Sequence, residues 1–161
     1  MCQARPTCSQ HVKCLTGSEQ TIQRMADNID LEGRPRMLEI LHVDDEPDIR
    51  EVAALSLAID PKIIVRSAKS GLEALEQLDS GWKPDVVLLD VMMPDLDGPG
   101  TLERIRQRPA HVDTPVIFMT ARAQPSEQAR FIAMGAIAVI TKPFDPVTLA
   151  AQIREHFAAH R

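Results

Sequence analysis

The sequence predicts an α/β fold in which a five-stranded parallel sheet carries helices on both faces. Three observations predict it. From Met37 onward, short apolar runs alternate with segments whose apolar residues fall at helical spacing, the pattern of repeated βαβ units. Val86 to Leu89 are apolar without a break and are bounded by turn formers, as suits a strand buried on both faces. Polar residues also recur at the ends of the apolar runs: Asp44 and Asp45, Asp90, Thr120 and Lys142.

Residues 1–36 stand outside this pattern, with no sustained period of 2 or 3.6. A short helix over 18–29 is compatible with Ser18 as cap and Ile22, Met25 and Ile29 on one side; the Gly33 to Arg36 run would end it as a linker. All three cysteines, Cys2, Cys8 and Cys14, lie here. Together with His11 they can be drawn as a zinc set, but the paired spacing of structural zinc modules is missing. An odd count without CxxC does not make a disulfide framework, so solvated thiols are expected. Met37 opens the first core strand and is itself a candidate start. Residues 1–36 therefore read either as a poorly ordered N-terminal extension or as an artefact of an upstream start, and residues 37–161 as the folded domain.

Leu38 to Val43 is the first strand, closed by Asp44, Asp45 and Glu46. Pro47 suits the first turn of a helix, where its missing N–H is harmless. Ile49, Val52, Ala53, Ser56 and Ile59 trace the face expected to be buried. Lys62 to Arg66 is a short second strand. Ser70 and Glu73 form a capping box for a second helix with Leu72, Leu75 and Leu78 inward, closed by Gly81 and Pro84. The third strand ends at Asp90, and Pro94 with Asp97-Gly98 makes its exit a turn. A helix over about 99–108 is buried through Leu102 and Ile105. Residues 115–119 form the fourth strand, ending at Thr120. A helix over about 125–134 uses Phe131 and Met134. Residues 136–140 form the fifth strand, and Asp145-Pro146 would cap a last helix with Leu149, Ile153 and Phe157 inward.

Composition narrows the functions open to the chain. At 161 residues, length suits one domain plus an appendage. With four Phe, one Trp and no Tyr, the chain is poorly supplied for stacking on nucleic acid bases. From Met37 onward 13 Lys and Arg face 19 Asp and Glu, an imbalance that opposes binding to a phosphate backbone. No apolar run approaches the roughly 18 residues of a membrane span, and no secretory h-region is present. A cytoplasmic location is expected.

Parallel strands aim their carboxyl ends at one edge of the sheet, where open α/β sheets bind ligands. Asp44, Asp45, Asp90, Thr120 and Lys142 are thus expected to converge in one crevice. Three carboxylates repel one another, and a hard divalent cation compensates them. Oxygen donors without His or Cys favour Mg²⁺ over zinc. Lys142 supplies a point charge for a phosphate and Thr120 a hydroxyl donor. Asp90, central in the group, is a candidate nucleophile forming an aspartyl phosphate. Taken singly, each residue has a plainer reading: Asp44 and Asp45 as helix caps, Thr120 as a turn residue, Lys142 as a solvated cation. His42, inside an apolar strand, reads as a packed or rim-exposed histidine rather than a catalytic one, and Met92 and Met93 as loop packing.

The segments LHVDDEPDIR, DVVLLDVMMPDLDG, PVIFMTARA and AVITKPFD, in this order and spacing, resemble the response regulator receiver domain of two-component signalling, from about Leu38 to Phe157. The resemblance implies a flavodoxin-like, doubly wound (βα)5 sheet of strand order 2-1-3-4-5, as in CheY-like receivers. It implies Asp90 as phosphoacceptor, Asp45 and Asp90 as direct Mg²⁺ ligands, Asp44 acting through water, and the Met92 backbone carbonyl completing the protein ligands. Thr120 and Lys142 would contact the phosphoryl group, with Lys142-Pro143 cis. The donor would be a histidine kinase or histidine phosphotransfer protein. Output would pass from the face of the fourth helix, fifth strand and fifth helix to a partner protein, or the phosphate would move on in a phosphorelay. Such a protein is no enzyme beyond its own phosphorylation and dephosphorylation. Because no effector domain follows the fifth helix in this sequence, the single-domain type is expected.

Two departures and two rivals accompany this reading. Val139 stands where many members carry an aromatic rotameric switch, and Arg122 borders the site two residues beyond Thr120. A magnesium-dependent phosphohydrolase resembling the haloacid dehalogenase family would want an aspartate at position 92, which is Met92. A phosphate-independent docking module would not need Asp45, Asp90, Thr120 and Lys142 together.

Overall fold

The computed structural model describes residues 36–122 and 124–161. The readings made for the chain before Arg36, namely the short helix, most of the linker, the Cys2, Cys8, His11 and Cys14 set and the extension itself, lie outside the described residues.

In chain order the elements are β1 (Leu38–Val43), α1 (Pro47–Ala58), β2 (Ile63–Ala68), α2 (Gly71–Asp79), β3 (Val86–Asp90), α3 (Gly98–Arg106), β4 (Val116–Thr120), α4 (Pro125–Ala133), β5 (Ala138–Thr141) and α5 (Leu149–His160). The strands pair in parallel in the order β2-β1-β3-β4-β5. This is the doubly wound order that the resemblance implied. Alternation along the strands divides the core into two layers. Ile40, Leu88 and Met119 face Ala53 and Leu57 of α1 and Leu149 and Ile153 of α5. Leu41, Leu89 and Phe118 face Leu75 and Leu78 of α2, Leu102 and Ile105 of α3, and Phe131 of α4. β3 and β4 are buried at every position, which explains their unbroken apolar sequences.

Local chemistry sets the ends of the elements. Pro47 begins α1. The Ser70 hydroxyl accepts the Glu73 N–H at 3.2 Å, while the Glu73 carboxylate reaches back to the Lys69 N–H at 2.9 Å, one residue before the cap. Gly81, at φ +91°, supplies the left-handed turn that follows α2. Asp97 caps α3 by accepting the Gly100 N–H at 2.8 Å.

Several details differ from expectation. α1 buries Ala53, Ser56 and Leu57, whereas Val52 and Ile59 are 41% and 62% exposed. The small Ala53 and Ser56 let the helix approach the sheet, which rotates Val52 and Ile59 outward; Ser56 satisfies its hydroxyl on the Val52 carbonyl. Leu72 is exposed because Gly71, Ala74, Leu75 and Leu78 form the inner stripe of α2. Met134 lies just past α4 and is exposed. Asp145 does not cap α5. Its carboxylate accepts the Val147 N–H and its carbonyl the Leu149 N–H, so an intervening turn delays the helix to Leu149, with Thr148 at the cap position. β2 runs on past Arg66 to Ala68, held by β1.

At the amino edge of the sheet, the Trp82 indole donates to Glu39 of β1 at 3.2 Å. The Arg66 guanidinium lies over its ring, 4.3 Å from the centroid. Among the described residues no helix is long and apolar enough to cross a membrane.

Candidate functional site

The carboxyl edge of the sheet gathers the residues singled out from the sequence. Asp44 follows β1 directly, with its amide still bonded to Ala68 of β2. Asp90 is the last residue of β3, not the residue after it, and Thr120 likewise ends β4. Lys142 follows β5, its N–H donating to the Thr120 carbonyl at 2.8 Å. Carboxylate oxygens of Asp44, Asp45 and Asp90 all lie within 4.8 Å of one another. The Lys142 Nζ donates to Asp44 Oδ2 at 2.5 Å and lies 2.7 Å from Asp90 Oδ1. The Lys142-Pro143 peptide is cis.

Burial and charge are in tension here. Asp44 is fully buried and Asp90 nearly so. Burial pushes the Asp90 carboxyl above the ordinary carboxylate range, against the hydrogen bond from Lys142, with Asp44 and Asp45 adding to the rise. Burial works to lower the Lys142 ammonium, but its hydrogen bonds to Asp44 and Asp90 outweigh this and the net shift is upward. Three carboxylates against the Lys142 ammonium within the crevice and the Arg50 guanidinium behind it leave a net negative charge. The donors are oxygens alone, the set that suits a hard divalent cation.

The remaining side chains differ in how they are held. The Thr120 hydroxyl is buried and accepts the Arg122 N–H at 3.1 Å. Met92 is 76% exposed, so only its backbone carbonyl is a candidate ligand. Val139 lies beside Phe118 in the β4–β5 register, packed against the same apolar layer. His42 is fully buried, and among the described residues neither ring nitrogen has a partner. Burial lowers its pKa to about 4, the Asp44 carboxylate opposing that shift. Of the two readings, packed or rim-exposed, it is the packed one.

Two backbone features hold the loops that follow β3 and β1. A Cβ on Gly98 would stand 2.4 Å from the Asp90 carbonyl oxygen and 2.9 Å from the Val91 Cα. Only glycine lets α3 start this close to the loop, and its N–H donates to the Val91 carbonyl at 3.0 Å. The second feature went unread in the sequence: Arg50 Nη1 donates to the carbonyls of Asp44 and Asp45 at 2.8 and 2.9 Å. An arginine in the second turn of a helix that follows an acidic pair is a faint signal, common on solvated helices too.

Comparison with known proteins decides the family. Residues 40–154 match the model of the response regulator receiver domain. The chain belongs to that family. Receiver CheY4 of Vibrio cholerae is 30% identical and superposes with a TM-score of 0.69 over 74% of this chain and 98% of that one. A receiver domain from a Francisella response regulator is 26% identical, with a TM-score of 0.67 over 76% of this chain and 98% of its own. Among full-length relatives, the transcriptional regulatory protein CseB of Streptomyces coelicolor is 39% identical over 115 residues, 71% of this chain and 47% of CseB. DltR of Streptococcus agalactiae is 38% identical over 117 residues, covering 73% and 50% respectively. This receiver thus spans about half the length of the transcriptional regulators it matches.

Proposed function

We propose that this receiver accepts a phosphoryl group on Asp90 from a phosphohistidine of a histidine kinase or phosphotransfer protein, in the cytoplasm and with Mg²⁺ bound. The observation that carries the reading is the meeting of Asp44, Asp45 and Asp90, each with a carboxylate oxygen within 4.8 Å of the others, with the Lys142 ammonium paired to Asp44 and Asp90. Asp44, Asp45, Asp90 and the Met92 carbonyl would hold the cation. When bound, it would supply positive charge against the transferred group.

The chain's own residues do the rest. A free oxygen of the Asp90 carboxylate attacks phosphorus as the donor's P–N bond breaks and the imidazole leaves with that electron pair. Lys142, already 2.7 Å from Asp90, turns its ammonium to the new phosphoryl oxygens. Thr120 donates its hydroxyl to the same group and exchanges the contact it makes with the Arg122 N–H. The change is delivered at the face of α4, β5 and α5 to a partner protein, or the group passes on to a second histidine. Catalysis ends with the chain's own phosphorylation and dephosphorylation.

The test is intact mass after incubation with Mg²⁺ and a small phosphodonor such as acetyl phosphate. The native chain should gain one phosphoryl group and Asp90→Asn none. A native chain that stays unmodified, or an equally modified variant, would overturn the assignment. Transfer to a histidine protein in a time course separates relay from terminal switch.

A further inference from the structure

The three acids of the crevice are oriented by different means. The carboxylate of Asp44 is held at both oxygens, by the Glu46 N–H at 2.9 Å and the Lys142 ammonium at 2.5 Å. Asp90 stands at the end of a fully buried strand and is held by the same ammonium. Asp45 has no such support: among the described residues no hydrogen bond or ion pair to its carboxylate is formed, and it is only half-buried. Its direction therefore depends chiefly on its backbone.

That backbone is tied from both sides by one atom. Arg50 Nη1 donates to the carbonyl of Asp44, which belongs to the peptide before the Asp45 Cα, and to the carbonyl of Asp45, which belongs to the peptide after it. Two peptide planes flanking one Cα and bonded to a common point restrict φ and ψ of the residue between them, and with them the direction of its Cα–Cβ bond; the Asp44 Oδ1 bond to the Glu46 N–H spans the same residue. Arg50 is itself anchored in α1, where its own N–H donates to the Glu46 carbonyl at 3.0 Å. We propose that Arg50 is a positioning residue for the cation site: by chelating the carbonyls on both sides of Asp45, it aims that carboxylate at Asp44 and Asp90.

This inference rests on the reading of the crevice as a Mg²⁺ site, and its sign separates it from simple electrostatics. A guanidinium beside three carboxylates disfavours a cation by Coulomb repulsion. If charge were its only effect, Arg50→Gln would bind Mg²⁺ more tightly. If it positions Asp45, the same change weakens binding despite the lost repulsion, by about 10-fold or more, as removal of groups behind metal ligands commonly does. Arg50→Lys keeps the charge, but its stem ends one bond short of Nη1 and cannot hold both carbonyls as they stand. It should lose several-fold.

The experiment is calorimetric titration of the full chain with Mg²⁺, for native protein, Arg50→Gln, Arg50→Lys and Arg154→Gln, with thermal unfolding in EDTA alongside. Arg154, bonded to Asp60 at 2.6 Å, is the control: its loss should lower the melting temperature and leave Mg²⁺ affinity within about twofold. Weaker binding in both Arg50 variants supports the proposal. Equal or tighter binding in Arg50→Gln overturns it, and should that variant not fold, unchanged binding in Arg50→Lys does so. Native protein that takes up no Mg²⁺ overturns the underlying site reading, and this inference with it.

Discussion

His42 shows how one side chain can tie stability to pH without joining the chemistry. Its ring is buried, among the described residues neither nitrogen has a partner, and its folded pKa is about 4 against 6.5 when solvated. Between those values the unfolded chain binds the proton and the folded one does not, so stability falls as pH falls through that window. The full span corresponds to roughly 3 kcal/mol, one pKa unit being about 1.4 kcal/mol. His42→Leu removes this contribution. In urea titrations with EDTA, its advantage over the native chain should be about 2 kcal/mol larger at pH 5 than at pH 7.5; a gap that does not widen would show that the ring is solvated. Residues of this kind are readable in sequence only as polar exceptions in an apolar run. Asp44, Asp90 and Lys142 were legible for the opposite reason, since position at or just past the carboxyl end of a strand fixes where a parallel sheet puts them. Arg50 was not, because its bonds go to carbonyls, which every residue carries.

Elements differ in what holds them to the sheet. α4 buries a single residue, Phe131, whose ring lies 4.9 Å from that of Phe118. Beyond α4's end, Arg106 of α3 donates to the Gly135 carbonyl at 3.2 Å. Phe131→Ala should cost about 3 kcal/mol or more, and amide exchange should show α4 losing protection ahead of α2 and α3. Ser70→Ala removes a cap instead and should cost about 1 kcal/mol, with protection lost at the first turn of α2 only. Uniform loss of protection in both variants would mean that the helices do not open separately. The existence and order of the helices followed from spacing. Which residues face inward did not follow in α1, because close packing by Ala53 and Ser56 outweighs the pull of the larger Val52 and Ile59. The α5 start was missed because Asp145 satisfies a turn before the helix rather than the helix itself.

Across the whole molecule, the parallel sheet was legible in the alternation of apolar runs with helical spacing, while its strand order came from the family resemblance; spacing alone does not say that β2, with its alternating burial, lies at an edge. A cation that binds only the folded chain stabilises it by an amount set by its concentration over its dissociation constant, about 2.7 kcal/mol at a hundredfold excess. Mg²⁺ should therefore raise the melting temperature of the native chain, and Asp45→Asn should lose most of that rise; an equal rise in the variant would place the cation elsewhere. The sole indole of the chain complicates any optical version of such measurements. Trp82 is fastened to the start of β1 and roofed by Arg66, a strand's length, roughly 15 Å, from the acids at the opposite rim. Its emission will follow global melting faithfully yet stay dark to events at Asp90, so a fluorescent report of phosphorylation calls for a dye grafted near Met92.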